Sequence, residues 1–227
     1  MNPQACRRLF NGNREERKMK PEIDYTLYLC TDRRIMTTDK IEDSVELAIR
    51  GGCSVVQLRE KKCPSKEFYE IAMSVKEVTD AYEIPLLIND RVDIALAVGA
   101  DGVHLGQKDL PIQVARELLG PDRIIGATAN TVELAVKAMK SGADYLGVGD
   151  VFGTLTKSGT KHITLDELKE IRQAVQIPVV AIGGVNADNI ALLKPAGVDG
   201  AAVISAVVGQ KDITAAAEKL ISNFREA

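Results

Sequence analysis

The chain has 227 residues and a formal net charge of −3, and this length fits one large α/β domain that can bury a sizeable core. The weak net charge excludes a strong field for nucleic acid or an anionic membrane, so we expect neither as a partner. No apolar run reaches the length of a membrane span.

The start of the chain differs from the rest in composition. Residues 1–20 mix basic and acidic side chains and lack the apolar centre of a secretory signal. We expect them to form a mobile polar extension that precedes one domain over residues 21–227. The four cysteines show no Cys-x-x-Cys pair and no metal-ligand spacing, which suits small packing residues in a reducing cytoplasm.

From Thr26 onward, short apolar segments alternate with segments of helical pattern. The predicted strands span residues 26–30, 54–58, 86–88, 102–105, 123–126, 145–148, 179–182 and 200–204. The clearest predicted helices span residues 41–50, 64–82, 94–98, 132–141 and 165–175. Eight such rounds predict the α/β class with a single (β/α)8 TIM barrel. An open doubly wound sheet is the alternative, but its usual Gly-x-Gly-x-x-Gly turn is absent from the sequence.

Polar residues follow most of the predicted strands. In a barrel these positions meet at the carboxyl rim, the end formed by the residues after each strand, where catalysis takes place. The polar and glycine residues at these positions are Gln57, Arg59, Lys61, Asn89, Asp90, Asp109, Thr128, Asn130, Thr154, Thr156, Lys157, Gly183, Gly184 and Ser205. Three cations and two carboxylates on one rim indicate a site for a metal and an anionic substrate.

Asp90 and Asp109 follow the third and fourth predicted strands. Neighbouring parallel strands lie about 5 Å apart, so these carboxylates could hold one hard cation between them. Two aspartates are too few for a calcium cage, but they suit Mg²⁺, which keeps waters and also binds substrate phosphate. Arg59, Lys61 and Lys157 would neutralise the remaining oxygens of a diphosphate.

The loops after the seventh and eighth predicted strands indicate a second anion site. Gly183, Gly184 and Ser205 occupy the place where barrels commonly bind phosphate through backbone amides. A diphosphate with its metal and a separate monophosphate imply two substrates. This combination predicts a transferase rather than a hydrolase.

Each of these residues also has a purely structural interpretation. The charged pattern at residues 57–61 could be a solvated face, the Asn89-Asp90 pair a turn, and Asp109 a helix start. His104 alternates with apolar residues, and we expect a hydrogen-bonded core histidine rather than a ligand. Three aspartates precede strands at the opposite rim, where a stabilising role is expected: Asp101, Asp144 and Asp199.

From Thr26 to the end of the eighth helix, the chain resembles the thiamine phosphate synthase family. Six stretches carry the resemblance: Gln57-Leu58-Arg59-Glu60-Lys61, Ile88-Asn89-Asp90, His104 to Leu110, Thr154-Leu155-Thr156-Lys157, Ala181-Ile182-Gly183-Gly184 and Ile204-Ser205. Each stretch alone is a weak signal. Their common order and their barrel spacing make the resemblance specific.

The resemblance implies an Mg²⁺-dependent transferase. It would join hydroxymethylpyrimidine diphosphate to thiazole phosphate, or to the carboxylated thiazole, giving thiamine phosphate and pyrophosphate. The implied mechanism is dissociation to a pyrimidine carbocation, which the thiazole nitrogen then captures. The implied partners are these small molecules, and self-association into a homo-oligomer stays open.

The resemblance also assigns roles to residues. Those that would bind the pyrimidine diphosphate are Gln57, Leu58, Arg59, Glu60, Lys61, Asn89, Thr128 and Lys157. Those that would bind the thiazole phosphate are Thr154, Leu155, Thr156, Gly184, Ile204 and Ser205. The metal ligands would be Asp90 and Asp109. The catalytic residues would be Lys157, Arg59, Lys61 and Thr128.

This chain departs from the family pattern at three positions. Thr128 stands where serine is usual, which keeps the hydroxyl and adds a methyl group. A loop that usually reads Gly-Pro-Val-Phe-Pro-Thr has Asp150 and Gly153 in place of its two prolines. We expect a more mobile empty loop and added negative charge near the phosphates. These changes bear on rate and affinity rather than on the type of reaction.

Two other functions are alternatives to the synthase. A thiazole tautomerase of the same barrel family would carry a histidine near Asp150 and lack the metal aspartates. A non-catalytic thiamine-phosphate sensor would keep the pocket without the chemistry. The presence of Asp90, Asp109 and Lys157 favours the synthase over both.

Overall fold

In this computed structural model, residues 23–153 and 162–227 are described, and eight parallel strands close into a barrel in sequence order. The strands are β1 Leu27–Cys30, β2 Val55–Leu58, β3 Leu86–Asn89, β4 Gly102–Leu105, β5 Ile124–Thr128, β6 Tyr145–Val148, β7 Val179–Ile182 and β8 Gly200–Val203. The α-helices are α1 Ile41–Arg50, α2 Ser65–Ala81, α3 Val92–Val98, α4 Ile112–Leu119, α5 Val132–Lys140, α6 Leu165–Ala174 and α7 Ile213–Arg225. The pairing of β1 with β8 confirms the predicted barrel and excludes the open sheet.

Most predicted boundaries agree with the structure to within one residue. The largest difference in a strand is at β5, which continues two residues beyond its predicted end, so Thr128 is the last strand residue rather than a loop residue. After β7 the chain forms a 3₁₀ helix, Ile190–Ala196, instead of a regular α-helix. Pro195 lies inside this segment and cannot donate a backbone hydrogen bond. The predicted extension over residues 1–20 lies outside the described residues.

Alternating strand residues build two separate cores. The larger core fills the layer between the barrel and the helices and includes Leu58 and Ile88. The smaller core fills the barrel interior, and its buried members are Tyr25, Tyr28, Cys30, Val55, Leu87, Ile124, Tyr145, Val180 and Ala202. Because side chains alternate along a strand, β2 directs Gln57 into the barrel and Leu58 towards the helices. None of the helices in the described ranges is both long and apolar enough to cross a membrane.

Three aspartates connect neighbouring strands at the amino rim, the end of the barrel opposite the carboxyl rim. Their side-chain oxygens accept backbone N–H groups at 2.8–2.9 Å in three pairs: Asp101 with Leu86, Asp144 with Ile125 and Asp199 with Val179. Each aspartate precedes an even-numbered strand and binds the odd-numbered strand before it. These contacts supply a physical basis for the stabilising role predicted at this rim.

We expect Asp144→Ala to lower the free energy of unfolding by about 2 kcal/mol, because a part-buried N–H and a cation lose their acceptor. The Asp144 carboxylate accepts from the Ile125 N–H at 2.8 Å and from the Arg116 guanidinium at 2.5 Å. Denaturant unfolding measures the loss, and Asp122→Ala is the control because Asp122 is exposed. The control should stay within about 0.5 kcal/mol of the parent. Equal effects of the two substitutions would remove the proposed stabilising role.

Candidate active site

A cavity of about 820 Å³ occupies the carboxyl rim and extends down into the barrel. Among the predicted site residues, those that line it are Gln57, Arg59, Asn89, Thr128, Gly184, Ile204 and Ser205. These residues come from β2, β3 and β5 and from the segments after β2, β7 and β8. Barrel closure therefore brings together positions that are up to about 150 residues apart in sequence.

Three described residues assigned to substrate binding do not line this cavity: Leu58, Glu60 and Lys61. Leu58 is fully buried in the core between the barrel and the helices. The Glu60 carboxylate binds the Arg33 guanidinium at 2.8 Å, and burial raises its pKa while Arg33 opposes that rise. Strand alternation accounts for Leu58, and the ion pair with Arg33 accounts for Glu60. Both side chains thus contribute to the packing of β2 and its loop.

The two predicted metal ligands, Asp90 and Asp109, are neighbours, although neither lines the cavity. The backbone N–H of Asp90 donates to the His104 carbonyl oxygen at 2.9 Å, which places Asp90 beside β4. The carboxyl group of Asp109 lies within hydrogen-bonding reach of Asp90, and its Oδ2 accepts the Gly106 N–H at 2.7 Å. Burial, followed by the nearby Asp90, raises the pKa of Asp109. Lys61 forms an ion pair with Asp90 on the same rim.

The backbone at Asp90 is in the left-handed region, with φ of 64°. For a residue with a side chain this conformation costs roughly 1–2 kcal/mol, and such strain clusters at functional sites. Two adjacent carboxyl groups also repel each other unless a proton or a cation is shared between them. The local structure of this acidic pair therefore fits the binding of a cation.

Arg34 and Arg59 share a carboxylate that the sequence analysis missed. Asp32, in the loop after β1, binds Arg34 at 2.5 Å and lies 3.7 Å from the Arg59 guanidinium. The hydrogen bond from Arg34 is the main reason why the pKa of Asp32 is lowered. Asp32, Arg34 and Arg59 all line the cavity. The Asp-Arg-Arg sequence at residues 32–34, directly after a strand, was the available signal.

A continuous series of hydrogen bonds crosses the floor of the cavity. Gln57 Nε2 donates to Tyr28 Oη at 2.7 Å, and Tyr28 Oη lies 2.7 Å from Tyr145 Oη. Tyr145 Oη lies 2.8 Å from His104 Nδ1, and His104 Nε2 lies 3.0 Å from Thr128 Oγ1. We call these five residues the interior hydrogen-bond chain. The expectation of a hydrogen-bonded histidine is confirmed, and His104 lines the cavity as well.

The loop after β7 requires glycine at both predicted positions. Gly183 and Gly184 have φ of 103° and 66°, and a Cβ atom at either position would overlap neighbouring atoms of the loop after β6. The Gly184 carbonyl oxygen accepts from the side-chain amides of Asn186 at 3.3 Å and Asn189 at 3.0 Å. Sequence analysis missed both asparagines, which line the cavity and fix the shape of this loop.

The family model for thiamine monophosphate synthase matches residues 27–207 of the chain. The chain belongs to the thiamine monophosphate synthase family. The thiamine-phosphate synthase of Ruminiclostridium cellulolyticum is 55% identical over 206 residues, which cover 91% of this chain and 98% of that protein. The thiamine-phosphate synthase of Clostridium beijerinckii is 51% identical and covers 91% of this chain and 99% of that one.

A solved structure supports the same family membership. The thiamine phosphate pyrophosphorylase from Pyrococcus furiosus is 45% identical to this chain and superposes with a TM-score of 0.83. The match covers 89% of this chain and 96% of that structure. As a thiamine monophosphate synthase family member, the chain is an enzyme of thiamine biosynthesis, a transferase that acts on small molecules.

Four residues assigned by the resemblance to this synthase family lie outside the described residues: Thr154, Leu155, Thr156 and Lys157. The described part of their loop follows β6 and packs against the end of β7, where the Val151 and Phe152 N–H groups donate to the Ile182 and Gly183 carbonyl oxygens at 3.1 and 3.0 Å. Asp150, one of the departures from the family pattern, is buried and lines the cavity. Its side chain lies next to Gly183, in the region where the sequence predicts a second anion site.

Proposed function

We propose that the chain joins hydroxymethylpyrimidine diphosphate to thiazole phosphate, or to its carboxylated form, and releases pyrophosphate with thiamine phosphate. Membership of the thiamine monophosphate synthase family supports thiamine phosphate as the product. The observation that carries the detailed proposal is the pairing of Asp90 with Asp109 and with Lys61 on the carboxyl rim, the same end of the barrel as a cavity of about 820 Å³ lined by Arg59. Carboxylates can bind the metal ion while neighbouring cationic side chains bind the diphosphate oxygens, so the two together suit a metal diphosphate.

Mg²⁺ fits this part of the rim as the proposed cofactor. Residues 23–153 and 162–227 contain no group of three or more His, Cys, Asp or Glu side chains that could hold a metal. A site with two carboxylates therefore depends on water and substrate oxygens, which is the coordination that Mg²⁺ accepts. When bound by Asp90 and Asp109, the ion would supply positive charge for the departing diphosphate.

The side chains of the rim contribute binding and charge stabilisation. In the proposed reaction the bond between the pyrimidine methylene carbon and the diphosphate oxygen breaks, and the thiazole nitrogen then bonds to that carbon. Arg59, Lys61 and Lys157 would stabilise the negative charge that the leaving group gains. The protein needs no nucleophile of its own for this transfer. Burial raises the pKa of the Cys30 thiol in the cavity to about 12, so Cys30 stays neutral.

The thiazole phosphate would bind at the loops after β7 and β8. Gly183 and Gly184 allow the loop after β6 to pack closely against this loop, and both glycines and Ser205 line the cavity. The two asparagines that hold the Gly184 carbonyl oxygen keep this loop in shape before the substrate arrives. The predicted cytoplasmic location and the homo-oligomer stay predictions.

Pyrophosphate release, measured with both substrates and Mg²⁺, tests this function. We expect one pyrophosphate for each thiamine phosphate, no release when either substrate is omitted, and loss of turnover when EDTA removes the metal. A thiazole tautomerase would instead isomerise the carboxylated thiazole phosphate without pyrimidine or metal. A sensor would bind thiamine phosphate without any turnover. Either of those results would contradict the proposal.

A further inference from the structure

The interior hydrogen-bond chain has a direction that its first member sets. Gln57 Nε2 can only donate, so Tyr28 Oη accepts and directs its own proton to Tyr145 Oη. Tyr145 in turn donates to His104 Nδ1. A neutral histidine that accepts at Nδ1 carries its proton on Nε2, from which it donates to Thr128 Oγ1. The hydroxyl proton of Thr128 is then available to a ligand in the cavity.

The opposite orientation of the Gln57 amide would reverse every bond in this series. Its Oε1 would accept from Tyr28, the His104 proton would lie on Nδ1, and Thr128 would donate to His104 instead of to the cavity. The two directions thus differ in one measurable property, the tautomer of His104. They also differ in whether Thr128 offers a ligand a proton or a lone pair.

Two glycines leave room for the Tyr145 and His104 rings, and the two tyrosines of the series are buried. A Cβ atom at Gly126 would overlap the Tyr145 ring, and one at Gly147 would lie 2.9 Å from His104 Cε1. Tyr28 and Tyr145 are almost fully buried, and burial is the main reason why the pKa of each is raised, so both stay neutral donors. A buried hydroxyl without a partner costs about 1–3 kcal/mol, which holds these groups in their hydrogen bonds.

We propose that Tyr145 is a positioning residue of this enzyme, which fixes His104 as its Nε2–H tautomer and thereby directs the Thr128 hydroxyl proton into the substrate cavity. Tyr145 acts through His104 rather than on the substrate itself. Thr128 lines the same cavity as Arg59 and Asn89, so its proton can serve an oxygen or nitrogen atom of the ligand bound there. The effect on catalysis rests on the proposed pyrimidine diphosphate site, whereas the tautomer is a property of the protein alone.

The tautomer is tested by ¹⁵N NMR of the histidine side chains at a pH where His104 is neutral. The chain has two histidines, so a His162→Gln variant assigns the His104 signals. We expect the Nε2–H form in the parent and a mixture of both tautomers in Tyr145→Phe. Tyr28→Phe breaks the same series one bond earlier and should give a mixture too, which provides a second variant if Tyr145→Phe does not fold.

Tyr25→Phe is the matched control for the NMR experiment. The Tyr25 ring packs against Tyr145 with centroids 4.9 Å apart, and among the hydrogen bonds of the described residues its hydroxyl takes no part in this series. The control should keep the parent tautomer. A parent protein with the proton on Nδ1, or a Tyr145→Phe variant with the unchanged Nε2–H form, would overturn the proposal.

Kinetics separate positioning from a merely structural role. We expect Thr128→Val to lower kcat by about 100-fold, because it removes the hydroxyl donor. Tyr145→Phe should lower kcat by about 10-fold, because the Thr128 hydroxyl stays but its proton is no longer directed into the cavity. The double variant should be no worse than Thr128→Val alone, since both changes act through one proton. Multiplying losses would overturn the inference. If the parent released no pyrophosphate, the proposed function would fail while the NMR result still decided the tautomer.

Discussion

We expect replacement of Asp90 or Asp109 by alanine to lower Mg²⁺-dependent kcat by about 10³-fold or more, the largest loss expected from any single substitution at the rim. Either change leaves one carboxylate, and a lone aspartate cannot hold Mg²⁺ firmly against a departing diphosphate. A loss of this size corresponds to about 4 kcal/mol of transition-state stabilisation. The measurement is initial rate against Mg²⁺ concentration at saturating levels of both substrates.

Two control variants separate this effect from damage to the fold. Asp109→Asn keeps an acceptor for the Gly106 N–H, so it preserves the local hydrogen bond but not the charge. It should fold like the parent and still lose turnover. Asp93→Ala removes the same charge from the exposed start of α3 and should change the rate less than about 3-fold. Near-normal rates in Asp90→Ala or Asp109→Ala would refute the assigned metal site.

Arg59→Ala should lower kcat/KM by about 10²-fold, the second largest effect expected. The Arg59 side chain is 15% exposed and lines the cavity, so its charge acts on the substrate with limited screening by solvent. Asp32 lies 3.7 Å from this guanidinium but binds Arg34 more closely, at 2.5 Å. Arg59 is therefore the cation of this group that remains more available to the diphosphate.

The variants Arg59→Lys and Arg59→Gln divide the effect of Arg59 into charge and geometry. Lysine keeps the positive charge but loses the two-pronged hydrogen bonding of a guanidinium, so it should restore part of kcat/KM. Glutamine is similar in length and neutral, so it should behave like alanine. Steady-state kinetics with the pyrimidine diphosphate as the varied substrate measures both. A fully active Arg59→Gln would mean that this guanidinium does not bind the diphosphate.

The barrel and most of its rim could be predicted because both follow from the alternation of strands and helices. Once eight strands are parallel, their last residues and the residues that follow them share one end of the barrel. The positions of Gln57, Arg59 and Asn89 on one cavity therefore follow without knowledge of any individual contact. The error at β5 has a local cause. Ala127 and Thr128 are small, and Thr128 is polar, so the sequence favours a loop at these two residues rather than the end of a strand.

The interior hydrogen-bond chain could not be predicted in the same way. Tyr28 and Tyr145 lie on β1 and β6, 117 positions apart, and no sequence spacing indicates that their hydroxyl groups meet. Their contact depends on ring size, on the glycines opposite and on the curvature of the closed barrel. The available signal was general: a tyrosine at an inward strand position needs a partner for its hydroxyl group.

Leu58 shows the limit of assigning a whole motif to a ligand. The resemblance covered the continuous stretch Gln57 to Lys61, but side chains alternate along a strand. Gln57 therefore points into the barrel, and Leu58 packs against the helices. Applying the two-residue period to the motif before assigning roles would have separated these two residues from the sequence alone.

A crystal structure with pyrophosphate and Mn²⁺, an anomalous scatterer that replaces Mg²⁺, tests the metal site most directly. We predict one anomalous peak between the carboxylates of Asp90 and Asp109, with pyrophosphate oxygens bound to the same ion and to Arg59. Pyrophosphate bound without metal, or a metal peak away from these two aspartates, would contradict the assignment of this rim as a magnesium diphosphate site.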